Sequence, residues 1–157
     1  MGRHPNSTSY ITPYSAAGAE QVQSATEFGR GSFTLTAATT YMFPLPAQDV
    51  PVLGVHLQHD AAIAITSATI EMCSLPPQET SDFSDNAGEW FGLAPTTAYV
   101  PVDGASTTAT NGVVAVVAGN IGGAHWDIAD TGARRARLKI VVGATGGEVR
   151  VASWGKE

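Results

Sequence analysis

Apolar residues recur at every second position through most of this chain, and no long stretch carries helical spacing. In GSFTLTAATTYMFPL, Phe33, Leu35 and Ala37 alternate with Thr34 and Thr36, the period of a half-buried strand, which Pro44 and Pro46 are expected to end. VPVLGVHLQHDAAIAITSATIEMC predicts two strands. Leu53, Val55, Leu57 and His59 share one face, Asp60-Ala61 turns the chain towards Ile63 and Ile65, and the phase slips after Ser67 to Ile70 and Met72, which predicts a bulge. NGVVAVVAG is a continuous apolar run of the kind found in a strand covered on both faces, and GNIGG breaks it. Near the C-terminus Ala136, Leu138, Ile140 and Val142 point one way, while Arg135, Arg137, Lys139 and Val141 point the other. GATG, residues 143–146, predicts a hairpin loop after which Val149 and Val151 return on the apolar face. That hairpin would set Lys139 directly opposite Arg150.

Short strands separated by turn signals every ten or so residues predict an all-β fold, an antiparallel β-sandwich of jelly-roll type. Residues 1–30 read as an extended N-terminal arm ahead of a sandwich domain over residues 31–157. The arm is rich in Pro, Ser, Thr, Gly and Ala, with isolated Tyr10, Ile11, Tyr14 and Phe28; a short helix over 16–28 is also compatible with it. The stretch 74–106, rich in Pro, acids and aromatics, predicts a long functional or packed loop.

The chain of 157 residues is 43% hydrophobic but only 14% charged, against about 25% in an average soluble domain. Its charge is unevenly placed. Ten of the fourteen acids lie between Gly31 and Ala133, where no lysine or arginine occurs, while Arg134, Arg135, Arg137 and Lys139 follow in one run. An acidic body of this kind repels nucleic acid, so no nucleic-acid partner is expected. The N-terminus lacks the apolar segment of a secretory signal and the longest apolar run is too short to span a bilayer, so no membrane partner is expected either. The lone Cys73 predicts a small buried hydrophobe.

No segment carries a convincing catalytic motif, and the expectation is a protein that is not an enzyme, with no cofactor and no metal. IADTGA, residues 128–133, looks like the Asp-Thr-Gly of retroviral-type aspartic proteases, but the 24 residues after Ala133 are too few for the rest of such an enzyme, and Asp130 is expected to form an Asx-type turn. His56, His59 and Asp60 with His125 and Asp127 suggest a metal site, except that His56 and His59 fall on opposite faces of their strand. Trp90, Phe91 and Tyr99, with Trp126, form either a sugar-stacking platform or, as the stronger expectation, a cover over the sandwich edge or a contact with a neighbouring subunit. The basic strand, facing Arg150, either stays solvated or docks on carboxylates of another subunit.

The ending resembles a known family. His125-Trp126-Asp127, then TGARRARLKIVVGATGGEVRVASWGKE, is similar to the C-terminal hairpin of small virion structural proteins of tailed bacteriophages, among them the decoration or cement proteins that sit on a capsid. The resemblance covers about the last 35 residues and the general plan of arm plus small β-domain. It implies a non-enzymatic virion structural protein, assembled in a host cytoplasm, that binds the major capsid protein or other virion subunits. It also implies a homo-oligomer, a trimer being favoured. The resemblance carries over no binding residue; the arm, the aromatic loop and the basic strand themselves make Tyr10, Ile11, Tyr14, Phe28, Trp90, Phe91, Arg135, Arg137, Lys139 and Arg150 the expected partner-binding residues. A head–tail, tail or fibre component of a virion is the nearest alternative, and because the same ending also resembles the last strands of galactose-binding-like sandwiches, a carbohydrate-binding module is the other.

Overall fold

The computed structural model describes residues 9–16, 31–45, 52–76, 88–92, 97–99, 107–129 and 134–156. Among them are thirteen strands and no helix: β1 (Ser9–Tyr10), β2 (Tyr14–Ser15), β3 (Ser32–Leu35), β4 (Thr40–Leu45), β5 (Val52–His59), β6 (Ile65–Cys73), β7 (Phe91–Gly92), β8 (Thr97–Tyr99), β9 (Thr107–Thr110), β10 (Val113–Val116), β11 (Gly122–Ala129), β12 (Arg135–Val142) and β13 (Gly147–Lys156). They form two antiparallel sheets. The first runs β1-β13-β5-β11-β8, with β3 beside β1 along the same edge of β13; the second runs β2-β4-β12-β6-β10-β9, with β7 also paired to β6. The chain is all-β, an antiparallel β-sandwich.

The alternation read from the sequence is what closes the core. Phe33, Leu35, Leu53, Val55, Leu57, Trp126, Val149 and Val151 face inward from the first sheet, and meet Tyr41, Phe43, Ile70, Val114, Leu138 and Ile140 from the second. A slip in β6 is present, but before Ser67 rather than after it. Val141 pairs with Ser67 but Val142 with Ile65, so Thr66 is the extra residue of a bulge. Asn111 and Gly112, both at positive φ (51° and 76°), close a two-residue hairpin between Thr110 and Val113.

Four expectations about the strands are corrected. The stretch from Phe33 holds two strands, since a turn with Ala38 at φ 54° sends β3 into one sheet and β4 into the other. β4 continues through Pro44 to Leu45, because β2 covers only Tyr41 and Met42 and leaves the edge at Pro44 without need of an N–H. The run after Asn111 is buried on one face only: Val114 and Val116 are buried, while Val113 and Val117 are exposed. Most consequentially, β12 and β13 do not form a hairpin. Residues 143–146 carry the chain from the second sheet to the first, a gap of about 10 Å that a four-residue link can cross. Lys139 therefore lies between Met42 and Thr69, and Arg150 between Gln58 and Ser32, in different sheets.

Candidate functional site

The basic strand β12 runs through the middle of the second sheet, its charged residues on the outer face. Arg137 sits opposite Glu71, and its Nε and Nη2 donate to Glu71 Oε2 at 2.7 and 2.6 Å. The Trp90 ring lies over this pair, 4.0 Å from the Arg137 guanidinium and 5.2 Å from that of Arg135. Arg137 is left only 1% exposed. Met42 and Cys73, on the same outer side, are buried too. At Arg137 the expected docking strip is thus covered by the chain itself, with Trp90 Nε1 buried and without a hydrogen-bond partner. Arg137 and Trp90 contact each other, because the segment carrying Trp90 folds back over the sheet, while Phe91 beside it is 63% exposed. Arg135 and Lys139 are half-buried.

The N-terminal residues within the described part are likewise held by the chain itself. β1 pairs with β13 and β2 with β4, so residues 9–16 pass from one sheet to the other along the sandwich edge. Ile11 between them is buried in the common core, with its N–H donating to Val151 O at 3.0 Å. Ile11 thus takes its apolar contacts from the chain's own core, where the expectation was contact with a neighbour. Tyr14 is half-buried, and Tyr10 is exposed with its ring over Gly31 and the Arg150 guanidinium 5.4 Å from its centroid. Phe28, the helix expected over 16–28 and the Asp130 turn lie outside the described residues.

Of the aromatics expected to stack on sugar, Trp126 is fully buried, with Nε1 donating to Gly112 O at 2.9 Å, and Trp90 is buried as described. A different tryptophan lies at the surface. Trp154 on β13 crosses the outer face of the first sheet at Gly54, where any side chain would collide with the indole. His125 stacks on it with centroids 5.2 Å apart and planes at 22°, and His125 Nε2 lies 3.1 Å from Asp127 Oδ1. His56 stands opposite both His125 and Ala152 on this face. Next along, Arg150 Nη2 donates to Gln58 Oε1. Burial first, then the charges of His125 and Arg150, push the His56 pKa below its ordinary value. His59 points the other way, into the core, its Nδ1 2.9 Å from Asp60 O. Among the described residues no group of three or more His, Cys, Asp or Glu stands close enough to hold a metal.

A third feature is the end of the sandwich where residues 36–39, 60–64, 117–121 and 143–146 cross or turn. Backbone hydrogen bonds lace these links together: Ala38 N to Gly143 O, Gly143 N to Ala64 O, Ala64 N to Thr145 O and Gly119 N to Ala61 O, at 2.7–3.0 Å. Asp60, the one charged residue in the four links, accepts from Ala62 N and Ile63 N through Oδ1 and from Glu148 N through Oδ2. This end exposes two large apolar side chains among small and polar ones, Thr36, Asn120 and Thr145 included. Val117 is 67% and Ile121 61% exposed, with Ala38, Ala61, Ala62 and Ala144 exposed around them.

These features define an antiparallel β-sandwich with two differentiated surfaces, an aromatic-polar sheet face and a loop end that exposes Val117 and Ile121. No family model, no curated protein and no solved structure matches the chain.

Proposed function

We propose that the chain is a non-enzymatic structural subunit of a virion, of the kind that attaches to a phage capsid and decorates or reinforces it. The strand order supports the jelly-roll form of the sandwich. Counting β3, β4, β5, β6, β10, β11, β12 and β13 as first to eighth, one sheet reads 1-8-3-6 and the other 2-7-4-5, and wound sandwiches of this type serve in viral shells and in lectins.

The observation that carries the assembly role is the laced end. Large exposed apolar side chains mark contact surfaces, and Val117 and Ile121 sit on links that hydrogen bonds already hold, so little ordering entropy is lost when a partner binds. The partner is the major capsid protein or another virion subunit, or a further copy of the chain in a homo-oligomer such as a trimer. The virion is then its location.

Immuno-electron microscopy of particles pelleted from a culture producing the protein, with antibody against the purified chain, tests this. Label on intact particles is expected. Unlabelled particles with all the protein left in the supernatant overturn the assignment. The Val117→Ser, Ile121→Ser variant should keep its Tm, since both positions are exposed, and rebind stripped particles less than the parent does.

A further inference from the structure

Assembly through the loop end leaves the outer face of the first sheet unused, and that face is built with care. Glycine in the middle of a strand is unfavourable unless something approaches the backbone closely. At Gly54 a Cβ would stand 2.6 Å from Trp154 Nε1 and 2.7 Å from Cζ2, so the indole lies across the strand in the space that a side chain would fill. His125 stacks beside it, and Asp127 holds the imidazole in turn. The half-buried indole is therefore a plane fixed before any ligand arrives, with surface still open to solvent.

Polar groups of both kinds flank this plane at sheet spacing. Asp127 is an acceptor, Arg150 a donor, Gln58 and the two imidazoles of His56 and His125 can do either, and Tyr10 adds a second exposed ring beyond Ala152. A flat aromatic plane next to alternating donors and acceptors complements a pyranose ring, which offers a C–H face to the indole and vicinal hydroxyls that both give and receive hydrogen bonds. The fixed charges of Arg150 and Asp127 offset one another, which suits an uncharged ring better than an acidic one. We infer that the outer face of the first sheet, centred on Trp154 and His125 and bordered by His56, Gln58, Asp127 and Arg150, is a binding site for neutral saccharides.

The site is an open face rather than a cleft, so single-site affinity is weak and depends on multivalent display. A glycan array of neutral and acidic bacterial and animal oligosaccharides, probed with the fluorescently labelled full chain on a multivalent carrier, is the test. Binding to neutral glycans is expected, followed in solution by a shift of the Trp154 indole N–H signal on titration with the best array hit. Trp154→Ala should lose binding by roughly tenfold, the scale of one aromatic contact. Gly54→Ala should lose it comparably by swinging the indole off the sheet, and Trp154→Phe should keep part of it. The Val117→Ser, Ile121→Ser variant should bind glycans like the parent, and no particle is needed in the assay, so this site and the assembly role fail separately. A parent chain that binds nothing on the array, binding confined to sulfated or sialylated glycans, or binding unchanged in Trp154→Ala and Gly54→Ala would each overturn the inference.

Discussion

Replacing Arg137 by Met retains most of the aliphatic stem but removes the guanidinium from between Glu71 and Trp90. Glu71 then loses both donors to its Oε2, at 2.7 and 2.6 Å, in a place where its side chain is only 14% exposed. Removing one member of a buried ion pair typically costs about 3–5 kcal/mol, because the other charge is left without compensation. Glu71 keeps some access to water, which lowers the figure, while the lost stacking on Trp90 adds about 0.5–2 kcal/mol. The expectation remains about 3–5 kcal/mol, or a fall in Tm of roughly 10–15 °C for a domain of this size. Thermal and urea unfolding should be followed for the parent, Arg137→Met, Glu71→Leu and the double variant. The double variant should recover most of the loss, since an apolar pair of similar volume carries no desolvation penalty. High salt should change little, unlike the case of a solvated surface charge. If Arg137→Met stays within about 0.5 kcal/mol of the parent, as surface substitutions do, or if the double variant is as unstable as the two single losses added, the cluster is not the internal clamp described.

Two further outcomes follow from the loop end and the histidines. Asp60→Ala removes the acceptor of three backbone N–H groups at 2.8–3.0 Å, so it should cost about 2–3 kcal/mol and speed amide exchange at Ala62, Ile63 and Glu148, with Asp60→Asn milder; unchanged exchange at all three would refute the lacing. His56 and His59 both have pKa values below 6.5, chiefly because burial disfavours the imidazolium; His125 and Arg150 add to the effect at His56, while Asp60 partly opposes it at His59. As pH falls below about 6.5 the unfolded chain takes up protons that the folded one refuses, so stability present above that pH is lost below it. The slope is at most about 1.4 kcal/mol per pH unit for each histidine, and less for half-exposed His56. Urea midpoints compared at pH 7.5 and 5.5 should show the fall, and His56→Gln should shrink it; a midpoint that rises on acidification would refute the sign.

Which faces of the strands are buried was legible in the sequence, because burial on one side imposes period two and a single-residue slip would turn every side chain over. That is why the inward sets of β3, β5, β12 and β13 stand where the alternation put them, and why β6 has a bulge, although at Thr66 rather than after Ser67. Which strand lies beside which was not legible. The inward residues of β12 and β13 produce the same alternation whether the two strands are neighbours in one sheet or face each other across the core. A four-residue link allows either, so the like-charge opposition of Lys139 and Arg150 was an artefact of choosing the first.

The surface sites show the same limit in another form. Alternation tells which way a side chain leaves the sheet, but not what it meets there. Arg137 points outward as its period requires, yet Trp90, 47 positions earlier in the chain, covers it and Glu71 neutralises it. The charge asymmetry of the sequence carried a clue: a stretch from Gly31 to Ala133 with ten acids and no base must find its counter-charges elsewhere in the chain if any of those acids is to be buried. Glu71 is such an acid and β12 is the strand beside it. Trp154 had a clue as well, in the glycine that interrupts VLGVHLQ. A gap in a strand otherwise filled with large residues signals a close approach, and here the approaching group is the one tryptophan of the three that remains available at the surface.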